Sequence, residues 1–217
     1  MNFNNSYNNN LEPLYINREA DFEVFFLNLI RYLKYFKILD INKNTKILDL
    51  GSADNSLQKI VKKKLDYDID SFNDPNIDFE IDSLNIKDQF YDLIIFKAVI
   101  EHLRNPTNIL THIKRSLKIN GILIITTSNY DYQIKEFWND PTHVHPYNPK
   151  SLKKLLKIFE LKDVAVRPFV FRKPSFYWKL PFWLISKIPF KNHTFKNFPI
   201  PEFLRGHSTV MIASAKK

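Results

Sequence analysis

The segment Lys46-Ile47-Leu48-Asp49-Leu50-Gly51-Ser52-Ala53-Asp54-Asn55-Ser56-Leu57 constrains this chain more than any other stretch. A short apolar strand ends in an acid and a glycine, then turns into a helix. Gly51 is one of only three glycines in the 217 residues, so its place in the turn carries weight. A strand–Gly–helix turn is where α/β proteins bring backbone N–H groups to a ligand.

The rest of the chain extends the same pattern. Phe22, Phe25, Phe26, Leu29, Ile30, Leu33 and Phe36 recur at three- and four-residue steps and predict a helix over 17–38. Residues 46–51 predict a buried strand, and 55–64 a helix with Leu57, Ile60 and Val61 inward. Residues 65–70 read as a second strand, 77–81 as a short third and 91–96 as a strongly apolar fourth. A helical turn begins at 98–103, Pro106 opens a helix over 108–117, and Asn120-Gly121 turns into a fifth strand over 122–127. Continuously apolar strands interleaved with helices imply a parallel sheet covered on both faces. Ligands then bind at the carboxyl ends of the strands, here Asp49/Gly51, Asp68/Asp70, Asp82, Phe96/Lys97 and Thr127/Ser128.

Composition narrows the setting. The length suits one domain over 17–217, preceded by a flexible, Asn-rich tail over 1–16. That tail lacks the basic and apolar regions of a signal peptide. No apolar run reaches the roughly 18 residues of a membrane span, so the expected location is cytoplasmic. Without cysteine there are no disulfides and no thiolate metal ligands. Residues 150–217 hold 15 basic and 3 acidic side chains, whereas 1–149 hold 17 basic and 20 acidic. Two readings stand open: an anionic partner for the C-terminal part, or the lysine excess of an AT-rich genome.

The ordered set of motifs resembles one family. Ile47-Leu48-Asp49-Leu50-Gly51, Tyr67-Asp68-Ile69-Asp70, Phe90-Tyr91-Asp92-Leu93-Ile94-Ile95, Val99-Ile100-Glu101-His102-Leu103 and Leu117-Lys118-Ile119-Asn120-Gly121-Ile122-Leu123-Ile124-Ile125 are similar to class I S-adenosylmethionine (SAM)-dependent methyltransferases. The resemblance covers roughly residues 40–165. It implies a Rossmann-like, seven-stranded, mostly parallel sheet with helices on both faces. The last two strands would come from 169–171 and 209–213, with 172–206 a basic aromatic insertion before the final one. It also implies SAM as cofactor. Asp49, Gly51, Ser52 and Ala53 would face its methionine part, Asp68 with Ile69 the ribose hydroxyls, Asp82 and Ser83 the adenine, with Lys97 lining the site from the fourth strand. The family's first motif usually carries three glycines; here Ala53 and Asn55 replace the second and third. Asn tolerates left-handed backbone better than most residues.

A narrower likeness follows the fifth strand. Asp140-Pro141-Thr142-His143-Val144-His145-Pro146-Tyr147-Asn148-Pro149-Lys150-Ser151-Leu152 is similar to a segment of methyltransferases of polysaccharide and lipopolysaccharide biosynthesis. That likeness implies O-methylation of a sugar or glycan intermediate. A small lipid or quinone acceptor is the rival substrate reading, and a degenerate binding protein the non-catalytic one. An alcohol acceptor benefits from a general base near neutral pKa, so His143 and His145, alternating around Val144, are the leading catalytic candidates. His102 is a third. Glu101 reads as an acid placed for a helix dipole, Asp140 as a turn cap, and Trp138 as either core or acceptor platform. No metal site is expected, because the His143/His145 pair has no carboxylate set at ligand spacing. The stretch 173–203 mixes Phe, Trp, Pro and Lys and reads as a lid on the acceptor pocket or a peripheral contact with anionic membrane. Nothing in the motifs favours nucleic acid.

Overall fold

Local chemistry decides where each helix starts and stops. The computed structural model describes residues 18–52, 54–169, 178–181 and 209–217. Helix α1, Arg18–Tyr35, buries Phe25, Phe26, Leu29, Tyr32 and Leu33 on one face. It closes with Lys37 in the left-handed region (φ 53), Lys37 N–H donating to Lys34 O and Ile38 N–H to Leu33 O. These are the two bonds of a Schellman stop, made here without glycine. Helix α2, Ser56–Leu65, begins at Asn55 (φ 57, ψ 21), so asparagine supplies the left-handed residue in place of the family's third glycine. Asp66, also left-handed, ends it. Helix α3, Thr107–Ser116, starts at Pro106; a short α4 spans Ile134–Phe137. Helix α5, Pro149–Ile158, carries a full capping box: Asn148 accepts from Ser151 N–H, and the Ser151 hydroxyl accepts from Asn148 N–H.

The strands are β1 Ile47–Leu50, β2 Ile69–Phe72, β3 Tyr91–Lys97, β4 Leu117–Ser128, β5 Lys162–Phe169 and β6 Val210–Lys216. Their order is β2-β1-β3-β4-β6-β5, with β6 antiparallel to both neighbours and the β1–β2, β1–β3 and β3–β4 pairs parallel. Alternate residues divide the core between the two faces. Leu48, Leu50, Ile94, Phe96, Leu123 and Ile125 pack with α3 and α5. Ile47, Leu93, Ile95, Ile122 and Ile124 pack with α1 and α2. Both faces of the central strands are dry, which is why their sequences show no polar alternation.

Three expectations need correction. The sheet has six strands among the described residues, not seven, because 77–81 forms a turn. Asp78 accepts from Glu80 N–H, Asp82 accepts from Asp78 N–H, and Ile81 stands 77 % exposed. The acids satisfy the nearest backbone donors locally, and no ladder forms. Second, β2 starts later than expected, because α2 and its Asp66 cap consume the residues before Tyr67. Third, Asn120-Gly121 lies within β4 as a bulge, where the register against β3 slips between Tyr91 and Leu93. A Cβ on Gly121 would meet two backbone oxygens, Lys118 O and Tyr91 O, each at 2.9 Å.

Most of 172–206 falls outside the described residues, so the lid or membrane reading of that stretch lies there too. Its described part, 178–181, docks on α1: Trp178 meets Tyr32 and Tyr35 edge-on, and Tyr35 donates to Leu180 O at 2.6 Å. Among the described residues no helix is long and apolar enough to cross a membrane.

Candidate functional site

The carboxyl ends of β1, β3 and β4 meet at one edge of the sheet. Asp49 lies one residue from the end of β1 on the α1 face and is 4 % exposed. Burial pushes its carboxyl up to about 6, against a hydrogen bond with Ser52 and the attraction of Lys97. Lys97, on the same face at the end of β3, is partly buried and holds its ammonium 5.1 Å from the Phe22 ring centroid and 5.8 Å from that of Phe25. Burial lowers its pKa, opposed by Asp49, Glu101, Asp54 and Asp21. Among the described residues, four acids thus act on Lys97, a surrounding that suits a cationic ligand.

Gly51 follows Asp49 with φ +80. Its N–H donates to Phe72 O, carrying the β1–β2 ladder to the strand end. A Cβ there would sit 2.7 Å from Val99 Cγ2, so glycine lets the loop after β3 close onto the turn. Ala53 lies outside the described residues.

The structure places the expected ribose residues away from the Gly51 turn. Asp68 and Ile69 stand at the entry of β2, at the opposite edge of the sheet from Gly51. The Asp68 side chain is 82 % exposed and pairs with Lys62 at 2.8 Å, and Ile69 is buried in the core opposite Ile47. Asp74 lies at the carboxyl end of β2, just beyond Phe72, where it caps a turn by accepting from Asn76 N–H. Asp82 is likewise engaged in its turn, and its carbonyl takes a bond from Asn108; Ser83 follows, exposed.

On the other side of the strand ends, three distant segments converge. A 3₁₀ turn, Ile100–His102, follows β3. The Glu101 carbonyl accepts from both Val144 N–H and His145 N–H at 3.0 Å, which ties the 139–147 loop to this turn. The His102 and His143 rings then lie 4.7 Å apart, and His143 packs on Phe137 at 4.4 Å. His102 Nδ1 sits 3.2 Å from Thr142 O, and His143 Nδ1 2.7 Å from Phe137 O. A carbonyl only accepts, so His143 Nδ1 carries the proton. His102 Nδ1 also lies 2.8 Å from Thr142 Oγ1, which gives its own hydrogen to Asp140 Oδ1 and so accepts from His102. In the neutral rings both Nε2 atoms keep a lone pair. His145 stacks on Tyr147 at 4.4 Å instead.

Glu101 stands in the first turn of the 3₁₀ helix, as the dipole reading has it, but its burial sets it apart from an ordinary helix-start acid. It is 3 % exposed, and its Oε2 has no hydrogen-bond partner among the described residues. Tyr147 Oη, Thr127 Oγ1 and Asn129 Oδ1 are further buried polar atoms without a partner there. Sequence reasoning passed over Glu101 because it opens a helical turn. The signal was its position directly after the apolar run Ala98-Val99-Ile100. The Asp140–Leu152 segment also divides in function. Asp140 makes the expected turn through Thr142 N–H, and Asn148 to Ser151 start α5, leaving Thr142, His143 and His145 free of a role in starting an element. Trp138 is 52 % exposed beside Phe137, so it is not core.

A protein-family model described as a methyltransferase domain matches residues 19–166, most of the chain. The chain belongs to the class I SAM-dependent methyltransferases. Solved structures share the fold. A SAM-dependent methyltransferase from Archaeoglobus fulgidus is 21 % identical, with TM-score 0.56 over 90 % of this chain and 94 % of that one. The plantazolicin methyltransferase BpumL, solved with S-adenosylhomocysteine, is 16 % identical, with TM-score 0.57 over 96 % and 89 %. Phosphoethanolamine N-methyltransferase 2 of Haemonchus contortus, solved with SAM, is 12 % identical, with TM-score 0.54 over 89 % of this chain and 52 % of that one. No curated protein sequence matches. SAM is the cofactor of this methyltransferase, and the buried Asp49 in an acidic pocket beside the Gly51 turn fits its cationic methionine end.

Proposed function

We propose that this methyltransferase transfers a methyl group to a hydroxyl of a sugar or glycan intermediate of cell-surface polysaccharide synthesis. The observation that carries the hydroxyl reading is the His102/His143 pair held beside the strand ends by the Glu101 carbonyl. Bound SAM supplies an electrophilic methyl group on a sulfonium. Asp49 faces the cationic end of the cofactor, Gly51 and Ser52 present backbone to it, and Asp74 takes the ribose side in place of Asp68. His143 Nε2 faces the acceptor hydroxyl and draws off its proton as the oxygen attacks; His102 and His145 orient the acceptor. Hydroxylated acceptors are favoured by the polar lining and by Trp138, whose exposed ring offers a face for a sugar to stack on.

Two measurements check this reading. Labelled methyl transfer from SAM into isolated glycan fractions should yield O-methyl sugars; label only in lipid, quinone or protein overturns the acceptor. His143→Ala should lower turnover by about 10²–10⁴-fold while SAM affinity holds. For the cofactor, Asp68→Asn should leave SAM affinity unchanged and Asp74→Asn should weaken it about tenfold or more. The reverse pattern in calorimetry would restore Asp68 as the ribose ligand.

A further inference from the structure

Glu101, His102 and His143 each present a ligand atom, and these atoms lie within 4.8 Å of one another. Two imidazoles and a carboxylate are a donor set that first-row divalent ions take, with open positions left for another ligand. Each of the three has lost its other employment. The Phe137 carbonyl holds the His143 Nδ1–H, and the Thr142 hydroxyl and carbonyl oxygens hold that of His102, which leaves both Nε2 lone pairs. Metal-binding histidines are commonly oriented in this way, through a carbonyl on the far ring nitrogen. Glu101 is buried with Oε2 unpartnered among the described residues, and the attraction of Lys97 reaches it without a hydrogen bond to that oxygen. Asp140 Oδ2 lies 3.9 Å from His143 Nε2. Its other oxygen accepts from Thr142 N–H and Oγ1–H. The Glu101 and Asp140 carboxylates therefore stand close to the imidazoles, and a positive charge belongs among them.

We propose that Glu101, His102 and His143 form a binding site for one divalent first-row transition-metal ion on the acceptor side of the methyl-transfer centre. Such an ion would sit at about 2.1 Å from each ligand atom. Such an ion would bind an acceptor hydroxyl directly and lower its pKa, the proton passing to solvent or to His145, in place of proton removal by His143. The inference rests on the placement of the cluster at the methyl-transfer edge and not on the identity of the acceptor as a sugar. The competing state holds no metal, with Glu101 balanced by Lys97.

Cobalt(II) distinguishes the two. Tag-free full-length protein, stripped with a chelator, is titrated with Co²⁺ alone and followed by visible absorption and by imidazole nitrogen resonances. One equivalent should produce d–d bands and paramagnetic shifts at His102 and His143. Glu101→Gln and His143→Ala should each weaken binding at least about tenfold, with SAM affinity as the check that the fold is intact. The wild-type resonances decide the matter even if a variant does not fold. Absence of Co²⁺ binding, shifts confined to other histidines, or equal affinity in folded variants overturns the proposal. Any of those results leaves SAM binding untouched, so the methyltransferase reading stands or falls separately.

Discussion

Asp49→Asn should weaken SAM binding at pH 7.5 by roughly 10–100-fold, the usual worth of a charge-assisted contact in a buried site. The wild-type carboxyl titrates at about 6, raised mainly by burial. Binding a cation prefers the ionised form, so wild-type affinity should fall beneath pH 6, by up to about tenfold per pH unit. The Asn variant should show no such slope. Stability moves the other way. The folded-state pKa lies above the 3.8 of an ordinary aspartate, so the folded chain holds this proton more tightly than the unfolded chain. That contribution favours folding below about pH 4 and is lost as pH rises through about 6. At neutral pH the fold carries a buried charge, and removing it should raise stability by roughly 1–2 kcal/mol. A variant that is more heat-stable yet binds SAM less well marks a residue kept for ligand and not for fold. Thermal melts and calorimetry on the same preparations read both effects.

Gly51→Val should damage fold and binding together. Its φ of +80 is a conformation that β-branched residues scarcely adopt, and the added Cβ would lie 2.7 Å from Val99 Cγ2 and 3.3 Å from Phe79 Cε2. Strain and overpacking of this kind cost about 2–4 kcal/mol, or roughly 5–15 °C of Tm in a domain of this size. The loop after β3 would also be pushed off the turn, and with it the 3₁₀ segment that carries Glu101 and His102. SAM affinity should therefore fall even at temperatures where the variant is folded. A variant that melts and binds like wild type would show that the β1–α2 turn is not where the cofactor's methionine end sits.

The central parallel sheet was legible in the sequence because its strands are dry on both faces, and runs such as Leu93-Ile94-Ile95-Phe96 have no other use. The Asn55 substitution was legible for a similar reason: few residues accept its left-handed backbone. Strand boundaries near acids were not. Asp68 and Asp70 both sit beside an apolar residue, and only the length of α2 decides which end of β2 each occupies. The turn at 77–81 was hidden because Ile77, Phe79 and Ile81 alternate like a strand, while Asp78 and Asp82 bond their own backbone. The Glu101–His102–His143 cluster was invisible to spacing, since the Glu101 carbonyl brings in His143 from a distant loop. Ligand spacing along a sequence reveals sites on one helix or one turn, and this site is on neither.

Calorimetric titration of SAM into the full-length protein at pH 7.5, wild type beside Asp49→Asn, tests the strand-end cofactor site most directly. One site saturating below about 1 mM in the wild type, and clearly weakened in the variant, is the predicted result. No heat of binding at millimolar SAM, or equal affinity in the two proteins, would contradict it.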